Sequence, residues 1–383
     1  MQDLLELLDD LLGKPQKKRD EAARYSRAYR CRCGNRIYFR NTLCLACKSQ
    51  LGYLPVELRL TALDPGPTPG TWRVEDRTEL AKFCANRDSP AACNWTMLAR
   101  NPQAYCIACR LNHTIPNLQD ADNVRYWRKL EVAKRRLVSQ LMALNLPVTS
   151  KVDEDSERGL MFDFLRSPPQ GPRVVTGHAS GLITINVEEA DDVKREQIKY
   201  NLREPYRTLL GHFRHEVGHY YWDRLIWNTE WLEPFRQLFG DERASYAEAC
   251  KRHYDQGPPA DWANSYISSY ATMHPWEDWA ETWAHYLHMV DSLGTALGFG
   301  IDNKALGGIQ DFIPDTLYAP DDPDAERFLS LLNGWLEMVM VLNELARSMG
   351  EPDFYPFVMC APVVPKLQFI HMVVINARTT SDL

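Results

Sequence analysis

Residues 201–226 read NLREPYRTLLGHFRHEVGHYYWDRLI, and at their centre stands His215-Glu216-Val217-Gly218-His219. Pro205 suits a first helical turn, where a fixed φ and a missing N–H cost nothing, and the pattern predicts a helix running to about Ile226. Residues four apart lie one above the other on a helix face, so the two imidazoles can take adjacent corners of one zinc tetrahedron. Glu216 projects beside them, where it can take a proton from water and deliver it to a leaving amine. Five residues with two free positions recur by chance in many chains, so the surrounding sequence has to decide.

Such a site needs a third ligand and an open fourth position. Fifty-eight residues after His219 comes Glu277, within SYATMHPWEDWAETWAHYLHM (269–289), where Glu277, Glu281 and His285 share a helix face at spacings of four. Glu277 can be the third ligand, with Asp278 and His285 as competitors for that place. Glu281, one turn on, can accept a hydrogen bond from a ligand imidazole and fix its tautomer. Tyr270, seven residues before Glu277, can place its hydroxyl where negative charge develops on a tetrahedral intermediate. His212 reads as a packed helix histidine that could also support the site, and His178 as a turn histidine. His253, His274, His288 and His371 have no partner at ligand spacing.

Ten cysteines are unevenly placed along the chain. Cys31, Cys33, Cys44 and Cys47 form two knuckles ten residues apart, a zinc-ribbon pattern that a short hairpin over Ile37–Thr42 would close around one ion. Cys84, Cys93, Cys106 and Cys109 are more loosely spaced and predict a second zinc, with His113 at most a spare ligand; spacing leaves open which pairs share an ion. Four thiolates leave no position for water or substrate, so these one or two ions are structural. Disulfides are the competing reading, disfavoured by the two-residue spacings. Cys250 and Cys360 read as small core residues.

The 383 residues, 45% hydrophobic and 25% charged, suggest two or three soluble domains, with no run long enough to span a membrane. The net charge of −7 hides a split. Residues 1–136 carry 24 Lys and Arg against 15 Asp and Glu, and the remainder 20 against 36. A basic cysteine-rich region can meet nucleic acid or an acidic protein, or it can be a solvated face that favours the thiolate form. At the N-terminus, Leu4, Leu5, Leu7, Leu8, Leu11 and Leu12 recur at helical spacing with positive charge after rather than before them, which reads as an amphipathic helix over 1–24 and a cytoplasmic protein. The stretch LDPGPTPGTW (63–72) reads as a linker, and Val174–Thr176 and Leu182–Val187 as two short strands. Further helices are predicted over Trp127–Leu144, Arg243–Tyr254, Trp276–Ser292 and Ala325–Ser348.

HEVGH followed by Tyr-x6-Glu-Asp-Trp-Ala-Glu resembles the glutamate-zincin metallopeptidases, and the Tyr…Glu…Ala-Glu spacing is most similar to the catalytic domain of anthrax lethal factor. From Cys31 onward the chain resembles a bacterial family in which a zinc ribbon precedes a zinc-binding metallopeptidase. The stretches that carry this are CRCGNRIYFRNTLCLAC (31–47), CRLNHTIPNL (109–118), EPYRTLLGHFRHEVGHYYW (204–222) and SSYATMHPWEDWAETWAHYL (268–287). The resemblance implies zinc on His215, His219 and Glu277, Glu216 as general base, Glu281 as orienter, Tyr270 as oxyanion stabiliser, and Gly181–Val187 as a sheet-edge strand that pairs with an extended substrate. The expected architecture is α+β: a zinc-ribbon region over 25–120, then a zincin-like metallopeptidase domain over 125–383, mostly helical with a small mixed sheet. The expected activity is hydrolysis of peptide or related amide bonds in a peptide or protein. The rivals are a zinc-stabilised binding scaffold with a catalytically idle zincin domain, and a small-molecule amidase.

Overall fold

The computed structural model describes residues 27–202, 207–301 and 312–381, which form a mixed α/β protein of two compact units. The first unit runs up to Lys194 and takes in Gly294–Ile301; the second holds the remainder from Arg195 onward. The N-terminal helix expected over 1–24, and Pro205, lie outside the described residues.

The first unit opens on a hairpin, β1 (Tyr29–Arg30) against β2 (Arg36–Ile37). It forms ahead of the expected Ile37–Thr42 because Gly34, at φ +82°, makes the turn directly after Cys33. Five antiparallel strands follow in sequential order: β3 (Gln50–Leu54), β4 (Arg59–Pro65), β5 (Trp72–Val74), β6 (Ala81–Phe83) and β7 (Thr96–Leu98). The 63–72 stretch is therefore the loop of a hairpin and not a linker. Leu63 pairs with Val74, and the Gly66 N–H donates to the Thr71 carbonyl at 2.8 Å. Leu54, Leu63, Val74 and Ala81 form a core under this sheet, flanked by Trp72 and Phe83.

After β8 (Asn112–Thr114), α1 (Ala121–Ala143) starts where the Asp120 carboxylate accepts from the N–H groups of Asp122 and Asn123. Its Tyr126, Trp127, Leu130, Leu137, Val138 and Leu141 are buried. Next come β9 (Met161–Leu165), β10 (Gly177–Ala179) and β11 (Leu182–Asn186), completing a mixed sheet of order β10-β11-β9-β8. β11 lies inside this sheet, antiparallel to β10 and parallel to β9, so it is not the edge strand the resemblance implied. Both its ladders are taken, and the edges are β10 and β8.

Helix α2 (Asp192–Leu202) leads into the second unit, whose described residues form no strand. The second unit is built from α3 (Leu209–Leu225), α4 (Leu232–Phe239), α5 (Tyr246–Gln256), α6 (Pro275–Gly298), α7 (Ala325–Ser348) and α8 (Val363–Ser381). The Thr208 hydroxyl caps α3 by accepting from the Gly211 N–H at 3.0 Å. α7 is long and apolar enough to cross a membrane, but Phe328, Leu331, Leu332 and Trp335 are buried in the protein.

Gly218 lets α3 and α6 approach closely. A Cβ there would lie 3.1 Å from the Ala280 Cα and 3.2 Å from the Trp283 ring. The Trp279 indole N–H donates to the Gly218 carbonyl at 2.8 Å, and Tyr221 stacks on Trp283 with centroids 5.0 Å apart. This contact brings the imidazoles of α3 against the carboxylates of α6.

Candidate metal centres

His215 and His219 stand one turn apart on α3 with ring centroids 5.0 Å apart. Opposite them, Oε2 of Glu277 lies 3.0 Å from Nε2 of His215 and 3.5 Å from Nε2 of His219. Glu277 is 2% exposed, yet this oxygen accepts no hydrogen bond, while Oε1 accepts from the Tyr246 hydroxyl at 2.8 Å. A buried carboxylate oxygen aimed between two imidazole nitrogens, with no hydrogen bond made to either, is what a cation site leaves behind. Two imidazoles and one carboxylate suit zinc and leave a fourth position for water or substrate.

Glu281 differs from Glu277 in that both its oxygens are engaged. Oε1 is 2.7 Å from Nδ1 of His215, and Oε2 accepts from the Ser268 hydroxyl at 2.6 Å. Its contact at Nδ1 fixes the ring of His215 with Nε2 toward the cluster. Glu216 has Oε1 3.3 Å from Nε2 of His212, and its Oε2 is buried with no partner. The Tyr270 ring lies 5.9 Å from that of His215.

Burial acts against charge on His215, Glu277 and Glu281, and their mutual attraction outweighs it. Burial alone would lower the pKa of His215, but Glu277 and Glu281 hold it well above the ordinary histidine value. Burial would raise Glu277, but His219 and His215 hold it well below the usual carboxylate range. Glu281 is drawn down to about 2 by His215 in spite of its burial. Burial, Glu277 and Tyr246 raise the Tyr270 hydroxyl far above its ordinary value, so it remains a donor.

All six residues that spacing singled out are thus brought to one place, and the competitors are not. Asp278 is paired with Lys366 at 2.5 Å, and Nδ1 of His285 is 2.6 Å from the Tyr355 hydroxyl. His178 lies in β10 and not in a turn, and its ring accepts from the Gly181 N–H of the following turn at 2.9 Å; His113 is 2.8 Å from Asp163. His288 sits on Arg214 and His371 on Tyr286. Sequence reasoning missed Tyr246 and Ser268, which reach the carboxylates from α5 and from the segment before Tyr270. No local pattern marks either, since both contacts are made by tertiary folding.

The eight early cysteines form two separate groups, Cys31, Cys33, Cys44 and Cys47, and Cys84, Cys93, Cys106 and Cys109. The sets are consecutive and not interleaved. Zn–S bonds of ~2.3 Å give a tetrahedron edge of about 3.8 Å. Cys31 and Cys47 are 3.5 Å apart, Cys33 and Cys44 3.7 Å, and Cys93 and Cys106 3.8 Å, so both groups fit the ion. Ser49 and the backbone lower the Cys47 thiol to about 6, which favours its thiolate form.

Residues 123–373 match a family described as "Putative zinc-binding metallo-peptidase". The chain belongs to this family. Residues 28–120 match a zinc-ribbon domain family. Uncharacterized proteins of Mycobacterium bovis and of two Mycobacterium tuberculosis strains are each 41% identical over 350 residues, covering 89% of this chain and 93% of theirs. No solved structure matches the chain. The segment matching the zinc-binding metallo-peptidase family contains the whole His/Glu cluster, and the zinc-ribbon segment contains both cysteine groups.

Proposed function

We propose that this protein is a zinc-dependent hydrolase of peptide or related amide bonds, with His215-Glu216-x-x-His219 and Glu277 as the metal site of a zincin-like domain. The observation that carries this reading is the pair of buried, unpartnered carboxylate oxygens at one site. Oε2 of Glu277 faces both imidazoles, and Oε2 of Glu216, whose carboxylate is within range of the charges of His215 and His219, is likewise buried without a hydrogen bond. Held by His215, His219 and Glu277, zinc would supply Lewis acidity toward a carbonyl and toward water.

The chain's own residues do the rest. Glu216, with Oε1 facing His212, uses Oε2 to take a proton from the attacking water and passes it to the leaving nitrogen, so it ends in its starting form. Tyr270, kept protonated, donates to the oxygen on which negative charge develops. Glu281 and Ser268 hold the ring of His215 in place. The reading makes peptides or proteins the substrate class.

The test is Glu216→Gln, which keeps the shape of the side chain and removes the base. On a degenerate peptide library read by mass spectrometry, turnover should fall by ~10²–10⁴-fold while zinc content stays that of the wild type. Retained turnover would overturn the mechanism.

A further inference from the structure

We infer that Tyr246 is a positioning residue whose hydroxyl holds one oxygen of Glu277 so that the other oxygen alone faces the metal. The inference rests on the reading of Glu277 as third ligand. A carboxylate with two free oxygens can bind a cation through both and fill two coordination positions. Here Oε1 is occupied at 2.8 Å by Tyr246, and Oε2 is the orphan between His215 and His219. With Glu277 2% exposed, water does not compete for Oε1, and the hydrogen bond draws charge from that oxygen. One-oxygen ligation keeps a position open for water or substrate.

Tyr246 is itself held in place by the turn that carries Glu277. It is the first residue of α5, whose cap Ser245 accepts from the Glu248 N–H. The Trp276 N–H donates to Nδ1 of His274 at 3.1 Å, so Nε2 carries the proton and donates to the Ala244 carbonyl at 3.0 Å. His274 thus ties the residue two before Tyr246 to the first turn of α6, three residues from Glu277. The Tyr246 ring packs on His274 and Trp276, with centroids 5.3 Å and 6.5 Å apart. The long spacing between His219 and Glu277 therefore returns a hydroxyl to the ligand.

The test compares full-length, zinc-loaded wild type with Tyr246→Phe, which keeps both ring contacts and loses only the hydroxyl. Chelator competition measures zinc affinity at the His/Glu site, and crystal structures give the number of Glu277 oxygens within bonding distance of the ion. The expected wild type has zinc on Oε2 alone, with Tyr246 still on Oε1. The expected variant has both oxygens on zinc and binds it about 10-fold more weakly. Equal affinity with one-oxygen ligation in the variant overturns the inference and leaves the metal site standing, and so does a wild-type ion bonded to Oε1. The wild-type geometry decides the matter even if the variant fails to fold. A wild-type cluster without zinc, or zinc bound without Glu277, overturns the reading of the site along with the inference.

Discussion

The two nitrogens of His215 face different partners: Nδ1 meets Glu281 and Nε2 meets Glu277. Glu281→Gln keeps an acceptor at Nδ1 and removes the charge, so zinc affinity at this site should weaken by about 10-fold in a chelator competition. His285, the discarded ligand candidate, makes a separate prediction. Burial pushes it down to about 4, against 6.5 for an ordinary histidine. The unfolded chain then binds the extra proton between those values, so stability falls as pH drops from 6.5 toward 4. His285→Asn offers the Tyr355 hydroxyl an acceptor that cannot be protonated. Over that range the wild type should lose on the order of 3 kcal/mol more than the variant in denaturant titrations, and parallel losses would refute the assignment. The residues at helical spacing, His215, Glu216, His219, Glu277 and Glu281, were legible because a helix turns sequence spacing into a shared face. Tyr246 and Ser268 were not, because their neighbours in space are far away in sequence.

At the scale of elements, the close packing of α3 on α6 makes the site possible. Gly218→Val would drive methyl groups into Ala280 and Trp283, costing about 1–3 kcal/mol. Zinc binding by His215, His219 and Glu277 should weaken with it, measured by thermal melting and competition on the same samples. Unchanged affinity would mean that helix separation does not set the site. Helices with a clear stripe or cap were readable, and Ala325–Ser348 appears with the bounds expected. α8 was missed because Val363, Val364, Leu367, Phe369, Ile370, Val373 and Val374 are all buried, which leaves no polar face to give a period. The five-stranded sheet was missed because its strands β5, β6 and β7 have three residues each, too short for alternation to register, and because Pro and Gly mark a hairpin loop and a linker alike.

For the whole molecule, the basic balance of the N-terminal third is partly matched by carboxylates of the same chain. Arg32 pairs with Asp64, Arg110 with Glu154 and Lys129 with Asp192. Lys134 and Arg135 are buried on Glu131, which is 3.9 Å from Sγ of Cys109. A zinc tetrathiolate beside them adds negative charge against two buried cations. Cys106→Ser should therefore remove one zinc per chain and speed amide exchange along α1; full protection of α1 in a protein lacking that ion would refute the link. Among the described residues three groups could hold a metal ion, two of thiolates and one of imidazoles and a carboxylate. A zinc-edge anomalous difference map from untreated crystals tests this most directly. Three peaks are expected, the third within bonding distance of His215, His219 and Glu277 and beside Glu216. Peaks only among the cysteines, with the histidines well ordered and empty-handed, would contradict it.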